Sequence, residues 1–240
     1  LFCTHCKKQI VDLSSYNLLL TEANKGNADA QALVGKVYMN GLCSFQIDYK
    51  KARIWFEKSS MQNNATGLYG MGAVSLYDCD EDSLDEKIIL QYTERSVQLG
   101  STDGMLLLSD LYLEEIGVMR NEEEAFRWIR LAADKGNPDA MYLIGEMYEK
   151  GHHVSKDDAE SIRWYCKAKE SGSARALYKI GLRYTYGFCI AQNTERANEL
   201  FDELMGRDDS CSDDLYAIGN IYCANELFPQ NEIKAFRFFY

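Results

Sequence analysis

Apolar residues along this chain recur at helical steps and do not alternate. Between Asn137 and Gly151, Ala140, Ile144 and Met147 or Tyr148 return every three or four positions, which places them on one face of an α-helix. Asn137 can cap that helix, and Pro138 suits its first position, where a missing N–H is not needed. Gly151 ends it and "HHVSKDD" turns the chain. A second amphipathic run, Asp157 to Lys169, then carries Trp164 and Tyr165 inward.

The same wording recurs. "DKGNPDAMYLIGEMYEKG" (Asp134 to Gly151) is nearly repeated in "NKGNADAQALVGKVYMNG" (Asn24 to Gly41). Gly35, Gly72, Ser109, Gly145, Gly181 and Gly219 stand at spacings of 37, 37, 36, 36 and 38 residues. Tyr38, Tyr112, Tyr148, Tyr184 and Tyr222 follow three residues after their markers, with Ser75 in the second copy. Such a period signals a repeat array, in which each unit buries its apolar face against its neighbours. The spacing predicts helix pairs Ala28–Met39 with Tyr49–Ser60, Ala65–Tyr77 with Leu84–Gln98, and Thr102–Glu114 with Glu122–Asp134. The series continues as Pro138–Lys150 with Asp157–Lys169, Ala174–Tyr186 with Thr194–Met205, and Asp213–Ala224 with Asn231–Tyr240; Leu13–Ala23 precedes it. A helical glycine costs roughly 1 kcal/mol of propensity, so its return calls for a packing reason. The expectation is that glycine admits a neighbouring backbone, alanine lets the second helix nest, and a bulky Trp or Tyr fills the wider part. Gly67 and Gly70 beside Gly72 predict a locally weak first helix in the second copy.

Gly26, Ala30, Gly35, Tyr38, Gly41, Ala52, Trp55 and Phe56, matched by Gly136, Ala140, Gly145, Tyr148, Gly151, Trp164 and Tyr165, resemble the Sel-one-like repeat family, a relative of tetratricopeptide repeats with a longer unit. The resemblance covers about Ser14 to Tyr240. It implies an all-α fold, a right-handed superhelical solenoid of two-helix repeats. Residues 13–240 would hold about six repeats, truncated at both ends, after an N-terminal segment 1–12. Similar repeats occur in bacterial secreted and periplasmic proteins, endoplasmic-reticulum degradation adaptors and cell-wall synthase regulators.

Charge narrows the partners. A net charge of −11 argues against nucleic acid and anionic membranes, which attract positive protein surfaces. No apolar stretch approaches the ~18 residues of a bilayer span. The eight cysteines show no bridge recurring from repeat to repeat. Reduced thiols in a cytoplasmic setting are therefore the expectation, with secreted, periplasmic or endoplasmic-reticulum locations as alternatives. "CTHC" supplies Cys3 and Cys6, half of a tetrahedral zinc site, whose other ligands would precede Leu1. Apart from that structural zinc no cofactor is expected. "DCDEDSLDEKII" lacks the turn glycine and final Glu of a calcium loop, and His152 and His153 have no catalytic partner at useful spacing.

A solenoid of this kind presents a concave helix-lined face to its partner. Opposite the core positions Ala30, Val34 and Val37 lie Asp29, Leu33, Lys36 and Asn40. Carrying their columns along gives Lys36, Ala73, Asp110, Glu146, Leu182 and Asn220 in one stripe, and Asn40, Tyr77, Glu114, Lys150, Tyr186 and Ala224 in the next. The candidate partner-binding residues are Lys36, Tyr77, Asp110, Glu146, Lys150, Leu182, Tyr186 and Asn220. They point to a non-catalytic adaptor for a protein or peptide with basic patches. The alternative is an enzyme, or a glycan- or small-molecule-binding accessory protein, using the same groove.

Overall fold

The computed structural model describes residues 13–42, 45–78, 85–207 and 212–224. The segment holding Cys3 and Cys6, and the expected helix Asn231–Tyr240, lie outside them. Twelve helices occur among the described residues: α1 (Leu13–Asn24), α2 (Ala28–Asn40), α3 (Tyr49–Ser60), α4 (Ala65–Tyr77), α5 (Glu86–Gln98), α6 (Thr102–Glu114), α7 (Glu122–Asp134), α8 (Pro138–Lys150), α9 (Asp158–Glu170), α10 (Ala174–Tyr186), α11 (Thr194–Met205) and α12 (Ser212–Ala224). No strand is present among them. The protein is an all-α solenoid of paired helices, divided into two compact units, Leu1–Lys135 and Gly136–Tyr240. In the first unit α2 packs on α3, α3 on α4, α4 on α5 and α6 on α7, while the first helices α2, α4 and α6 adjoin one another. In the second, α8 packs on α9, α9 on α10 and α10 on α11.

The glycine column packs against rings, not against backbone as the sequence suggested. A Cβ added to Gly145 would lie 2.6 Å from Tyr165 Cε1, and one on Gly35 would lie 2.6 Å from Phe56 Cε1. Gly181 is closed off in the same way by the Phe201 ring. All three rings are fully buried. They stand one residue after the Trp column, so the residue that fills the glycine notch in the fourth copy is Tyr165, with Trp164 beside it. The third copy has Ile129 in the ring column and Ser109 in the glycine column, whereas the second keeps Gly72 against Thr93.

Helix α4 runs unbroken through its three glycines. Gly67 faces Ser59, Gly70 faces the Phe56 ring and Gly72 faces Thr93. Each is buried, so the weakness their propensity suggested is offset by contacts that a larger residue would block.

The turns are fastened by caps with the period of the repeat. Asn27, Asn64, Ser101, Asn137 and Ser173 each accept a backbone N–H with their side chains at the start of a first helix. Asp48, Asp85, Asn121, Asp157 and Asn193 do so for the second helices. Asp85 and Asp157 therefore stand outside α5 and α9, which start later than the hydrophobic pattern implied. The second-helix caps also tie back: the backbone N–H groups of Asp48, Asn121, Asp157 and Asn193 donate to the carbonyls of Tyr38, Tyr112, Tyr148 and Tyr184 at 2.9, 3.1, 3.0 and 2.9 Å. These four hairpins are thereby closed at the tyrosine column.

Replacing Gly145 with Val drives a side chain into the buried Tyr165 ring and should cost about 2 kcal/mol or more. Arg163→Ala breaks only a surface pair with Glu160 and should cost less than about 0.5 kcal/mol. Urea denaturation of both variants measures the contrast; equal losses would contradict the ring-on-glycine packing.

Candidate functional site

With Ala30, Val34 and Val37 buried against Tyr16 and Leu19, the columns one position away from this core are left to other contacts. In the first unit, Lys36 is half-buried. It forms an ion pair with Asp103 of α6 and lies 5.4 Å from the centre of the Tyr69 ring of α4. Tyr77, at the end of α4, is 55 % exposed and stacks on Tyr49 at 6.3 Å. Asp110, in α6, is reached by solvent but has enough protein around it to favour its neutral form. That desolvation, then the Glu114 charge, pushes its pKa up to about 6. Burial, then the charge of Asp110, raises the Tyr77 phenol, so Tyr77 and Asp110 share one patch. Lys36 is engaged by Asp103 and the Tyr69 ring.

In the second unit, four of the expected residues gather. Glu146 accepts a hydrogen bond from Lys150 at 3.3 Å and lies 3.8 Å from Lys179. Leu182 and Tyr186 line a cleft of about 370 Å³ formed by Glu149 of α8, Asp158 at the start of α9, Lys179 and Arg183 of α10, and the loops carrying Lys156, Phe188 and Cys189. Tyr186 pairs with Phe188, ring centres 5.8 Å apart. Asn220 is exposed on α12 and is not part of this lining.

The cleft is organised by residues outside the two columns. Glu149 accepts a hydrogen bond from the Tyr165 hydroxyl at 2.5 Å and another from Lys179 at 3.1 Å. Arg183 Nη2 lies 3.2 Å from its other oxygen. Burial opposes the charge on Glu149, yet these donors outweigh it and hold its pKa below the usual carboxylate value. Burial, then the bond to Glu149, raises the Tyr165 phenol. A sequence signal for these residues existed. Arg183 stands where other copies have Val37, Val74, Leu111, Met147 and Ile221. Lys179 takes the place of Leu33, Gly70, Leu107, Leu143 and Ala217, and Glu149 that of Met39, Leu76, Leu113 and Thr185.

Among the described residues no group of three or more His, Cys, Asp or Glu could hold a metal ion, and no helix is long and apolar enough to cross a membrane. Cys166 and Cys189 carry free thiols.

The Sel1 repeat model matches residues 28–64, 102–137, 138–173 and 174–203. No curated protein matches the sequence. Among solved structures, a Sel1 repeat protein from Oxalobacter formigenes is similar at 21 % identity and a TM-score of 0.69, covering 95 % of this chain and 97 % of that one. A protective antigen of uropathogenic Escherichia coli strains, displaying an SLR fold, is similar at 24 % identity and a TM-score of 0.57, over 93 % of this chain and 47 % of that one. An immunity protein from Pseudomonas aeruginosa is similar at 14 % identity and a TM-score of 0.62, over 88 % and 80 %. At these identities the likeness is one of fold.

Asp110 gives this surface a pH dependence of defined sign. Its folded pKa of about 6 lies above the value of ~3.9 for an unfolded aspartate. Between these values the folded chain keeps a proton that the unfolded chain releases, so stability from this group is lost as pH rises toward 6. Asp110→Asn should therefore melt above the parent at about pH 7.5, and the difference should close near about pH 4.5. Thermal melts at both pH values measure it; a gap that is constant or widens toward acid would remove Asp110 as the cause.

Proposed function

Because this chain belongs to the Sel1 repeat family, whose stacked helix hairpins serve as protein-interaction scaffolds, we propose that it is a non-catalytic adaptor that holds a protein or peptide on the exposed face of its first helices. The observation that carries this reading is the contrast between columns. The glycine, ring and cap columns recur for packing, while the two columns expected to face outward change from basic to acidic to aromatic; Ala73 in them is buried, but Tyr77 and Tyr186 stay in solvent. Tyr77 and Tyr186 are 55 % and 47 % exposed, and aromatic side chains of this kind are favoured anchors in interfaces.

In the first unit the proposed contact surface is Tyr77 with Asp110, where an incoming lysine or arginine would meet a carboxylate already partly desolvated. In the second it is Glu146, Lys150, Leu182 and Tyr186 around the cleft. Lys36 and Asn220 extend the same columns, Lys36 with much of its charge already answered by Asp103. A cationic residue on the partner would stabilise the charged form of Asp110, so docking at the first unit should weaken as pH falls below about 6.

A pull-down from native lysate tests the proposal. The parent chain should retain a protein that the combined variant Tyr77→Ala, Glu146→Ala, Tyr186→Ala loses while keeping its helical circular dichroism. A parent chain that retains no protein but binds glycans through these residues would replace the adaptor reading with that of an accessory carbohydrate-binding protein.

A further inference from the structure

Phe188 stands in solvent because the residue it would rest on is charged. In the first and third copies the residue just past the helix cap, Leu42 or Ile116, donates its N–H to the carbonyl of Val37 or Leu111 at 3.0 Å. It also packs with the core to which Val37 or Leu111 belongs. This is a common fastening of a helix end, a backbone bond with an apolar contact beside it. In the fifth copy the same two positions are Phe188 and Arg183. Arg183 Nη2 lies 3.2 Å from Glu149, so the apolar contact is replaced by an ion pair and Phe188 remains 61 % exposed. Its ring centre lies 5.8 Å from that of Tyr186, which is 47 % exposed.

The charges beside this pair of rings are already answered. Lys179 lies 3.1 Å from Glu149 and 3.8 Å from Glu146, Arg183 shares Glu149, and Lys156 lies 4.0 Å from Asp158. The three cations of the cleft thus face three carboxylates of the same chain. An acid or a base entering here would give up its water without meeting a free counter-ion, and would have to break one of these pairs to find one. What the cleft leaves without a partner is apolar surface, on Leu182, Tyr186 and Phe188.

Building on the adaptor reading, we propose that this cleft receives one uncharged apolar side chain of the partner protein, a Leu, Phe or Trp, which lies against Leu182, Tyr186 and Phe188. The cleft volume of about 370 Å³ is near the small end of ligand pockets, which begin at about 300 Å³. It suits a side chain whose backbone stays at the rim. The paired floor supplies the selectivity: it turns away charge, while the rings reward apolar area. Arg183 acts as a positioning residue, because it holds Phe188 off the hairpin core and on the cleft wall.

An immobilised library of acetylated, amidated heptapeptides, randomised at every position, tests this with the whole chain; the blocked ends carry no charge. Retained peptides should share one position rich in Leu, Phe or Trp and poor in Asp, Glu, Lys and Arg. Alanine at that position in the best binder should weaken it about tenfold or more, a loss typical of an interface anchor, and glutamate or lysine there should weaken it at least as much. Phe188→Ala should lose the same peptide while keeping its helical circular dichroism. If that variant does not fold, Tyr186→Ala should lose it. A shared position rich in acidic or basic residues, no shared position, or a binder that survives both ring substitutions would each overturn the assignment. So would a chain that holds glycans on these rings and no peptide. Peptides released by Tyr77→Ala and not by Tyr186→Ala would overturn it while leaving the adaptor reading in place, and failure of the lysate experiment would sink that reading separately.

Discussion

The packing of this solenoid depends on an aromatic ring seated on a helix that has no side chain beneath it. Phe56, Tyr165 and Phe201 occupy the space that a Cβ on Gly35, Gly145 or Gly181 would need. Two helices can approach this closely only if one surrenders volume where the other gains it. The propensity lost at the glycine is offset by complete burial of a large apolar surface. Once the ring is seated, the rotation of both helices is set, and with it the face each helix turns away from its partner.

That rotation explains why the candidate surface divides as it does. In the first unit, the outward columns carry Tyr77 and Asp110, an aromatic beside a carboxylate that pays for its surroundings with a raised pKa. In the second, Tyr165 is both the ring on Gly145 and the hydroxyl that donates to Glu149. One side chain thus joins the packing of the hairpin to the ion-pair group of the cleft, and the cleft charges inherit their position from the core.

The period, the pairing of helices and most helix ends were legible because amphipathic spacing and recurring small residues are local signals. The ring on glycine was harder to read. Adjacent aromatics such as Trp164 and Tyr165 do not reveal which one meets the glycine until the helix rotation is known. The caps were readable at their 36- and 37-residue spacing, but a pattern search tuned to apolar residues passes over Asn, Asp and Ser. At the site, Leu182 and Tyr186 followed from the outward columns. Glu149, Lys179 and Arg183 did not, because helical periodicity assigns their positions to the core side. Charge in a column that is otherwise apolar was the available clue, and it becomes visible only when the copies are compared position by position.

Lys36 has a further consequence through its reach. From α2 it pairs with Asp103 of α6 and lies against Tyr69 of the intervening α4. A stack held only by adjacent contacts behaves like a zipper, and it can come apart one tooth at a time from either end. A tie between the first and third copies skips a tooth. Peeling α2 away also releases a contact two repeats on, so the opening of the first unit is spread over a longer stretch of chain than a single hairpin.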